Sequence, residues 1–113
     1  MAASMMKARL SADLRHALKE KDRPRAALLR SLLAALDNAE APPATASPVS
    51  GQDFRSGAAE VERLVLDDRD VQRILVAEIE EREGAAAQFE RMRQAQRAAD
   101  LRFEATLARQ YLK

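Results

Sequence analysis

The stretch ALLRSLLAALDNAE, residues 27–40, decides the fold because it is the most apolar part of the chain. Its leucines recur at three- and four-residue steps, which predicts one broad apolar stripe on a helix. They are Leu28, Leu29, Leu32, Leu33 and Leu36. Burial of each would contribute about 1.5–3 kcal/mol, whereas five exposed leucines would favour aggregation. We therefore expect a core helix here, and the alternative is a helix whose leucines bind a partner.

The ends of this helix also follow from the sequence. Asp22 or Arg23 marks its start, Pro24 suits its first turn, and the apolar pattern runs to about Ala39. Arg30 interrupts the leucines, and no run approaches the roughly 20 apolar residues of a membrane span. We expect no membrane anchor.

Composition predicts an all-α protein. Of the 113 residues, 47% are hydrophobic, 33% are charged and only 4% are aromatic, with three glycines and four prolines. Alanine, leucine, arginine and glutamate dominate, and all four favour helices. The length suits a single domain spanning residues 1–113.

The remaining pattern predicts a bundle of two helical hairpins. A first helix at 5–20 carries Met6, Leu10, Leu14 and Leu18 on one stripe and pairs with the leucine-rich helix. The Pro/Ala/Ser-rich segment 41–57 is predicted to be a mobile loop. A short helix at 58–66, a long helix at about 68–93 capped by Asp67, and a last helix at about 96–112 follow. No Gly or Pro separates the last two helices, so their fusion into one remains an alternative.

No group of residues specifies a reaction. The chain has no cysteine, which excludes disulfides and thiolate chemistry and fits a reducing, cytoplasmic compartment. His16 is the only histidine, and one histidine cannot build a zinc site. There is no nucleophile elbow and no phosphate-binding glycine loop. We expect no catalytic residue, metal, cofactor or small-molecule substrate, and therefore no enzyme.

Positive charge gathers near the start of the chain. Residues 1–30 carry eight basic and three acidic side chains, whereas residues 31–113 carry eleven basic and fifteen acidic ones. Clustered lysine and arginine on an accessible surface can contact phosphates. The candidate nucleic-acid-binding residues are Lys7, Arg15, Lys19, Lys21, Arg23 and Arg25. The alternative is a solvated helix face, since Asp13, Glu20 and Asp22 interleave with these cations.

The order of motifs resembles the GatB/YqeY domain family. Members show a K-x-K-D turn, an LR-x-L-x-x-A-L-x-N-x-E helix and an E-I-x-x-R…F…R-x-D-L…E…L…YLP tail. The matching residues are Lys19, Lys21, Asp22, Leu29, Arg30, Leu32, Ala35, Leu36, Asn38, Glu40, Glu78, Ile79, Arg82, Phe89, Asp100, Leu101, Glu104, Leu107, Tyr111 and Leu112. The match covers nearly all of the chain outside 41–57.

The resemblance implies the family's N-terminal helical domain, since members continue past YLP into a smaller subdomain whereas this chain reads YLK. It also implies an accessory role related to the tail region of the tRNA-dependent amidotransferase B subunit, which helps to hold tRNA. The expected partner is therefore tRNA. The alternative is a protein–protein interaction or scaffold domain, acting through a protein partner or self-association of the 68–112 surface.

Four charged residues are expected to form structural ion pairs: Arg30, Glu40, Glu78 and Arg82. Arg30 and Glu40 lie about 15 Å apart along one helix, so they cannot pair with each other. We expect each to pair with the third or fourth helix, where Glu78, Glu81 and Arg82 are available. Glu78 and Arg82 are spaced to pair with each other across one helical turn.

Overall fold

The computed structural model describes residues 3–42 and 64–113, which form four α-helices. Helix α1 spans Ala3–Lys19, α2 spans Arg23–Glu40, α3 spans Asp68–Arg91 and α4 spans Ala95–Arg109. The all-α class and the two hairpins, α1–α2 and α3–α4, confirm the sequence prediction. Among these residues, no helix has both the length and the apolar character needed to cross a bilayer.

Helix α2 is the centre of the bundle. It packs against each of the other three described helices, as α3 also does. Four of its five leucines are buried, and Leu32 and Leu36 are fully so, while Leu33 packs partly against the same core. The stretch that opened the sequence analysis is therefore a core helix.

The two hairpins are closed by different interactions. Lys7, near the start of α1, contacts Glu40 at the end of α2, so these helices run antiparallel. In the second hairpin, the Arg102 guanidinium donates hydrogen bonds to both carboxylate oxygens of Glu90, at 2.8 and 3.0 Å. Both helices of this hairpin bury alanines, whose small side chains allow a close approach: Ala86 in α3, and Ala98, Ala105 and Ala108 in α4.

Helix α3 begins as predicted at the Asp67 cap. The Asp67 carboxylate accepts from the Asp70 backbone N–H at 2.8 Å, and the Asp70 carboxylate accepts from the Asp67 N–H at 3.0 Å. This reciprocal capping box satisfies two donors that a helix start leaves without partners. The predicted short helix at 58–66 fares differently: Leu64, Val65 and Leu66 are not helical, and its remaining residues lie outside the described part. The predicted loop at 41–57 also lies outside it from position 43 onward.

A tight turn separates α3 from α4, so the alternative of one fused helix is wrong. The Gln94 N–H donates to the Phe89 carbonyl and the Arg93 N–H donates to the Glu90 carbonyl, which is a Schellman ending. Arg93 occupies the left-handed position with φ of 60°. Glycine usually fills this position, so a sequence with arginine there gives no turn signal.

The end of the chain fastens to α1. The Tyr111 hydroxyl donates a hydrogen bond to Asp13, and the Arg9 guanidinium lies 4.5 Å from the centre of the Tyr111 ring. Burial, together with the bond to Asp13, raises the pKa of Tyr111 to about 12. Because α4 has no helix-to-helix contact with α1, this residue supplies the connection between them.

Gly84 lies in the interior of α3, where the sequence left open a kink or a close helix approach. A Cβ placed there would meet no atom within 4 Å, so close approach is not its role. We predict that Gly84→Ala raises the free energy of unfolding by about 1 kcal/mol, because alanine loses less backbone entropy in a helix. Urea denaturation measures the change. Ala99→Gly, at an exposed site in α4, is the matched control and should lower stability by about the same amount; equal stability of Gly84→Ala and wild type would contradict the account.

Tyr111 predicts a loss of stability at high pH. The folded state keeps the neutral phenol, while the unfolded chain ionises near pH 10. The raised pKa of Tyr111 therefore adds about 1–2 kcal/mol to the free energy of unfolding. This stabilisation is complete below pH 10 and is lost as the pH rises toward 12. Tyr111 is the only tyrosine and there is no tryptophan, so tyrosinate absorbance reports this group alone. Asp13→Asn should lower the observed pKa, and a wild-type midpoint near 10 would contradict the contact.

Candidate nucleic-acid interface

The turn between α1 and α2 is the candidate site. It is a second Schellman ending: the Asp22 N–H donates to the Ala17 carbonyl at 2.8 Å and the Lys21 N–H donates to the Leu18 carbonyl at 3.1 Å. Lys21 takes the left-handed position with φ of 59°. Left-handed backbone costs a residue other than glycine about 1 kcal/mol, so the packed hairpin must hold Lys21 in place.

The start of α2 is fixed by its own residues. The Asp22 carboxylate accepts from the Arg25 backbone N–H at 3.3 Å, and Pro24 occupies the first turn, where its missing N–H costs nothing. The Arg25 side chain also contacts Asp22 at 3.4 Å. The carboxylate nearest the turn is therefore occupied by the cap and by Arg25.

A groove of about 480 Å³ opens at this turn. We call its apolar lining residues the floor and its charged lining residues the rim. The lining residues are Ala17, Leu18, Lys21, Asp22, Arg23, Ala26, Ala27 and Arg30. Leu18 was expected on the buried stripe of α1, but it is 47% exposed because it lies at the end of the helix and opens into the groove.

Four cations cluster at this end of the hairpin, and we call them the basic turn: Lys19, Lys21, Arg23 and Arg30. All four are exposed, and within residues 3–42 and 64–113 none forms an ion pair. Arg23 and Arg30 are two helical turns apart, about 10.5 Å along the axis of α2. Three of the four line the groove, and Lys19 ends the helix beside it.

The other three predicted nucleic-acid-binding residues differ in whether they lie near the basic turn and are available. Arg15 is exposed and lies one helical turn before Lys19 on the same side of α1. Arg25 is engaged by Asp22. Lys7 lies about 18 Å from Lys19 along α1, where it contacts Asp37 at 3.1 Å and Glu40 at 2.6 Å. The bond to Glu40, with a further bond to Asp37, raises the pKa of Lys7, so Lys7 serves the hairpin and is not part of the basic turn.

The acidic residues that interleave with these cations are mostly engaged elsewhere. Asp13 accepts from Tyr111, and Asp22 caps α2 and contacts Arg25. Of the three carboxylates within residues 3–30, only Glu20 lacks a described contact, and it does not line the groove. From the sequence alone, these carboxylates were expected to neutralise the neighbouring cations more fully than they do, because their partners in the fold could not be seen.

The predicted pair of Glu78 with Arg82 is confirmed, whereas the described residues show no pairing of Arg30 or Glu40 with the third or fourth helix. Arg82 is 8% exposed and contacts Glu78 at 2.9 Å and Glu104 at 3.0 Å, which joins α3 to α4. Arg30, by contrast, points outward on the flank of α2 and pairs with no described residue of the third or fourth helix. Glu40 does pair, but with Lys7 of α1. Exposure removes the need for a partner at Arg30, because water solvates its charge.

Nothing in the described residues gathers reactive groups at the turn. Within those residues, no three His, Cys, Asp or Glu side chains approach closely enough to hold a metal ion. His16 is exposed on α1. What the basic turn can do chemically is bind an anion through exposed cations beside an apolar floor.

Comparisons with known proteins find no match for this chain, neither among protein-family models, nor among curated proteins, nor among solved structures. The GatB/YqeY resemblance therefore stays a prediction from the motifs alone.

Proposed function

We propose that this chain is a non-catalytic accessory module that contacts tRNA through the basic turn. The observation that carries the proposal is the cluster of four exposed cations at one end of the α1–α2 hairpin, none of them in an ion pair with a described residue. Cations that already have carboxylate partners must lose them before binding phosphate, whereas these four need not. A contact with tRNA also implies a cytoplasmic location.

The chemistry of the groove suits phosphate better than a metal or a reaction. Arginine presents a planar fork of donors that matches phosphate oxygens, and lysine adds a point charge. Such contacts position a nucleic acid without reading its sequence. The proposed role is therefore to hold and orient RNA, with no chemical step.

The motif resemblance supports tRNA as the class of RNA. In the K-x-K-D match, Lys19 ends α1, and the backbone N–H groups of Lys21 and Asp22 make the hydrogen bonds of the turn. Arg30, which also matches the family pattern, lines the same groove. Three of the four basic-turn residues are thus motif positions.

Protein binding is the second candidate, and the exposed apolar residues of the α3–α4 hairpin favour it. Met92 is 59% exposed, Phe103 is 50% exposed and Val76 is 39% exposed. Val76 and Met92 are about 24 Å apart along α3, which is too far for one small contiguous patch. Scattered exposed apolar residues are ordinary on monomers, so the basic turn is the stronger observation.

We predict that the variant Lys21→Gln/Arg23→Gln/Arg30→Gln binds total tRNA more weakly and with a shallower salt dependence. Each lost phosphate contact removes about one unit from the slope of log affinity against log salt, so the slope should fall by about 2 to 3. Filter-binding titrations at about 50 and about 200 mM salt measure both quantities.

The matched control removes the same charge from the other hairpin, as Arg69→Gln/Arg91→Gln/Arg93→Gln. All three of these arginines are exposed. The control should retain most of the wild-type affinity. Equal losses in the two variants would reject the basic turn as the site, and a wild-type protein that does not bind at the lower salt would leave protein docking as the better proposal, to be tested by the mass in light scattering.

A further inference from the structure

We infer that the groove at the basic turn binds an unpaired nucleotide of the RNA, with its base on the apolar floor and its phosphates on the rim. This inference rests on the proposed function and deepens it, because it names the structural class of RNA that the site accepts. A duplex contacted only by its phosphates would need cations but no pocket.

The floor is the first observation. Leu18 lines the groove and is 47% exposed, and Ala17, Ala26 and Ala27 line the same groove. A large aliphatic side chain left half-exposed beside small residues offers an apolar surface. Contact with the face of a base would remove this surface from water, which is favourable in proportion to the area covered.

The rim is the second observation. Lys21, Arg23 and Arg30 flank this floor, and Arg23 and Arg30 stand about 10.5 Å apart along α2. An arginine guanidinium can lie against the plane of a base as well as bind phosphate. Cations around an apolar floor therefore complement a nucleotide, which is apolar on the faces of its base and anionic at its phosphate.

Size and accessibility agree with one nucleotide. The groove volume of about 480 Å³ falls in the range of small-ligand sites. In a duplex, the faces of the bases are stacked and cannot reach such a floor, whereas loops and single strands present them. No aromatic residue lines the groove, so the base contact is weaker than on an aromatic platform and depends on Leu18.

The test is a thermodynamic cycle with two proteins and two probes. The proteins are wild type and Leu18→Ser, and the probes are a short single-stranded RNA oligonucleotide and the same oligonucleotide with abasic sites, which keeps its phosphates. Fluorescence anisotropy measures the four affinities. Each single change should weaken binding about fivefold, and both together should weaken it little further, because both remove one contact.

Two controls separate this contact from a general effect. Val76→Ser removes a comparably exposed apolar side chain from α3, away from the groove, and should leave all affinities unchanged. A duplex of the same sequence should bind Leu18→Ser and wild type equally. A nucleoside monophosphate should compete only weakly, since it offers one phosphate; competition as strong as that of the oligonucleotide would overturn the RNA assignment in favour of a free nucleotide.

The outcomes distinguish the inference from the function beneath it. Salt-dependent RNA binding that ignores both Leu18→Ser and the loss of bases would overturn the inference and leave the tRNA contact intact. If Leu18→Ser with the abasic oligonucleotide lost about 25-fold in affinity, the product of the two single fivefold losses, the inference would also be overturned. The two changes would then act independently and could not remove one shared contact. An absence of binding to either probe by the wild type would overturn both.

Discussion

Burial of the α2 leucines is the constraint on which the rest of the structure depends. Leu28, Leu29, Leu32 and Leu36 are withdrawn from water by the three other helices together. These four leucines make up half of the largest fully buried side chains among the described residues, so much of the core's large apolar volume belongs to this one helix, although α3 also contacts α1 and α4. The hairpins are joined mainly through α2, with a further contact between α1 and α3, and the surface of the bundle follows from the rotation of α2.

The rotation of α2 about its axis also determines which charged side chains lie on the surface of the bundle. With the leucines inward, Arg23 and Arg30 lie on the flank of α2 beside the end of α1, where exposed Lys19 and Lys21 complete the basic turn. The charged residues that do enter the bundle are paired. Arg82 lies between Glu78 and Glu104, and Glu40 contacts Lys7. Burial lowers the pKa of Arg82 and the two glutamates raise it, with a net rise that keeps this arginine charged.

The sequence predicted what periodicity and local hydrogen bonding control. Leucine spacing identified the core helix, and the Asp67 cap and the Glu78–Arg82 pair followed from spacing within one turn. Features that depend on contacts between helices were not predictable in the same way. The pattern could not show that Arg30 lies on the outer flank of α2, that Lys7 belongs to the pair with Glu40, or that Leu18 opens into a groove. The turn at Arg93 was predicted only as a break between two helices, without a local turn signal, because its left-handed residue is not glycine.

Native-state hydrogen exchange of α2 tests the central claim most directly. If the leucine row holds all four helices together, α2 cannot open while the rest stays folded. The amides from Leu29 to Leu36 should then exchange with the free energy of global unfolding obtained from denaturant titration, and they should be among the slowest in the protein. Exchange of these amides through a smaller opening, while amides of α3 and α4 stay protected, would contradict the account.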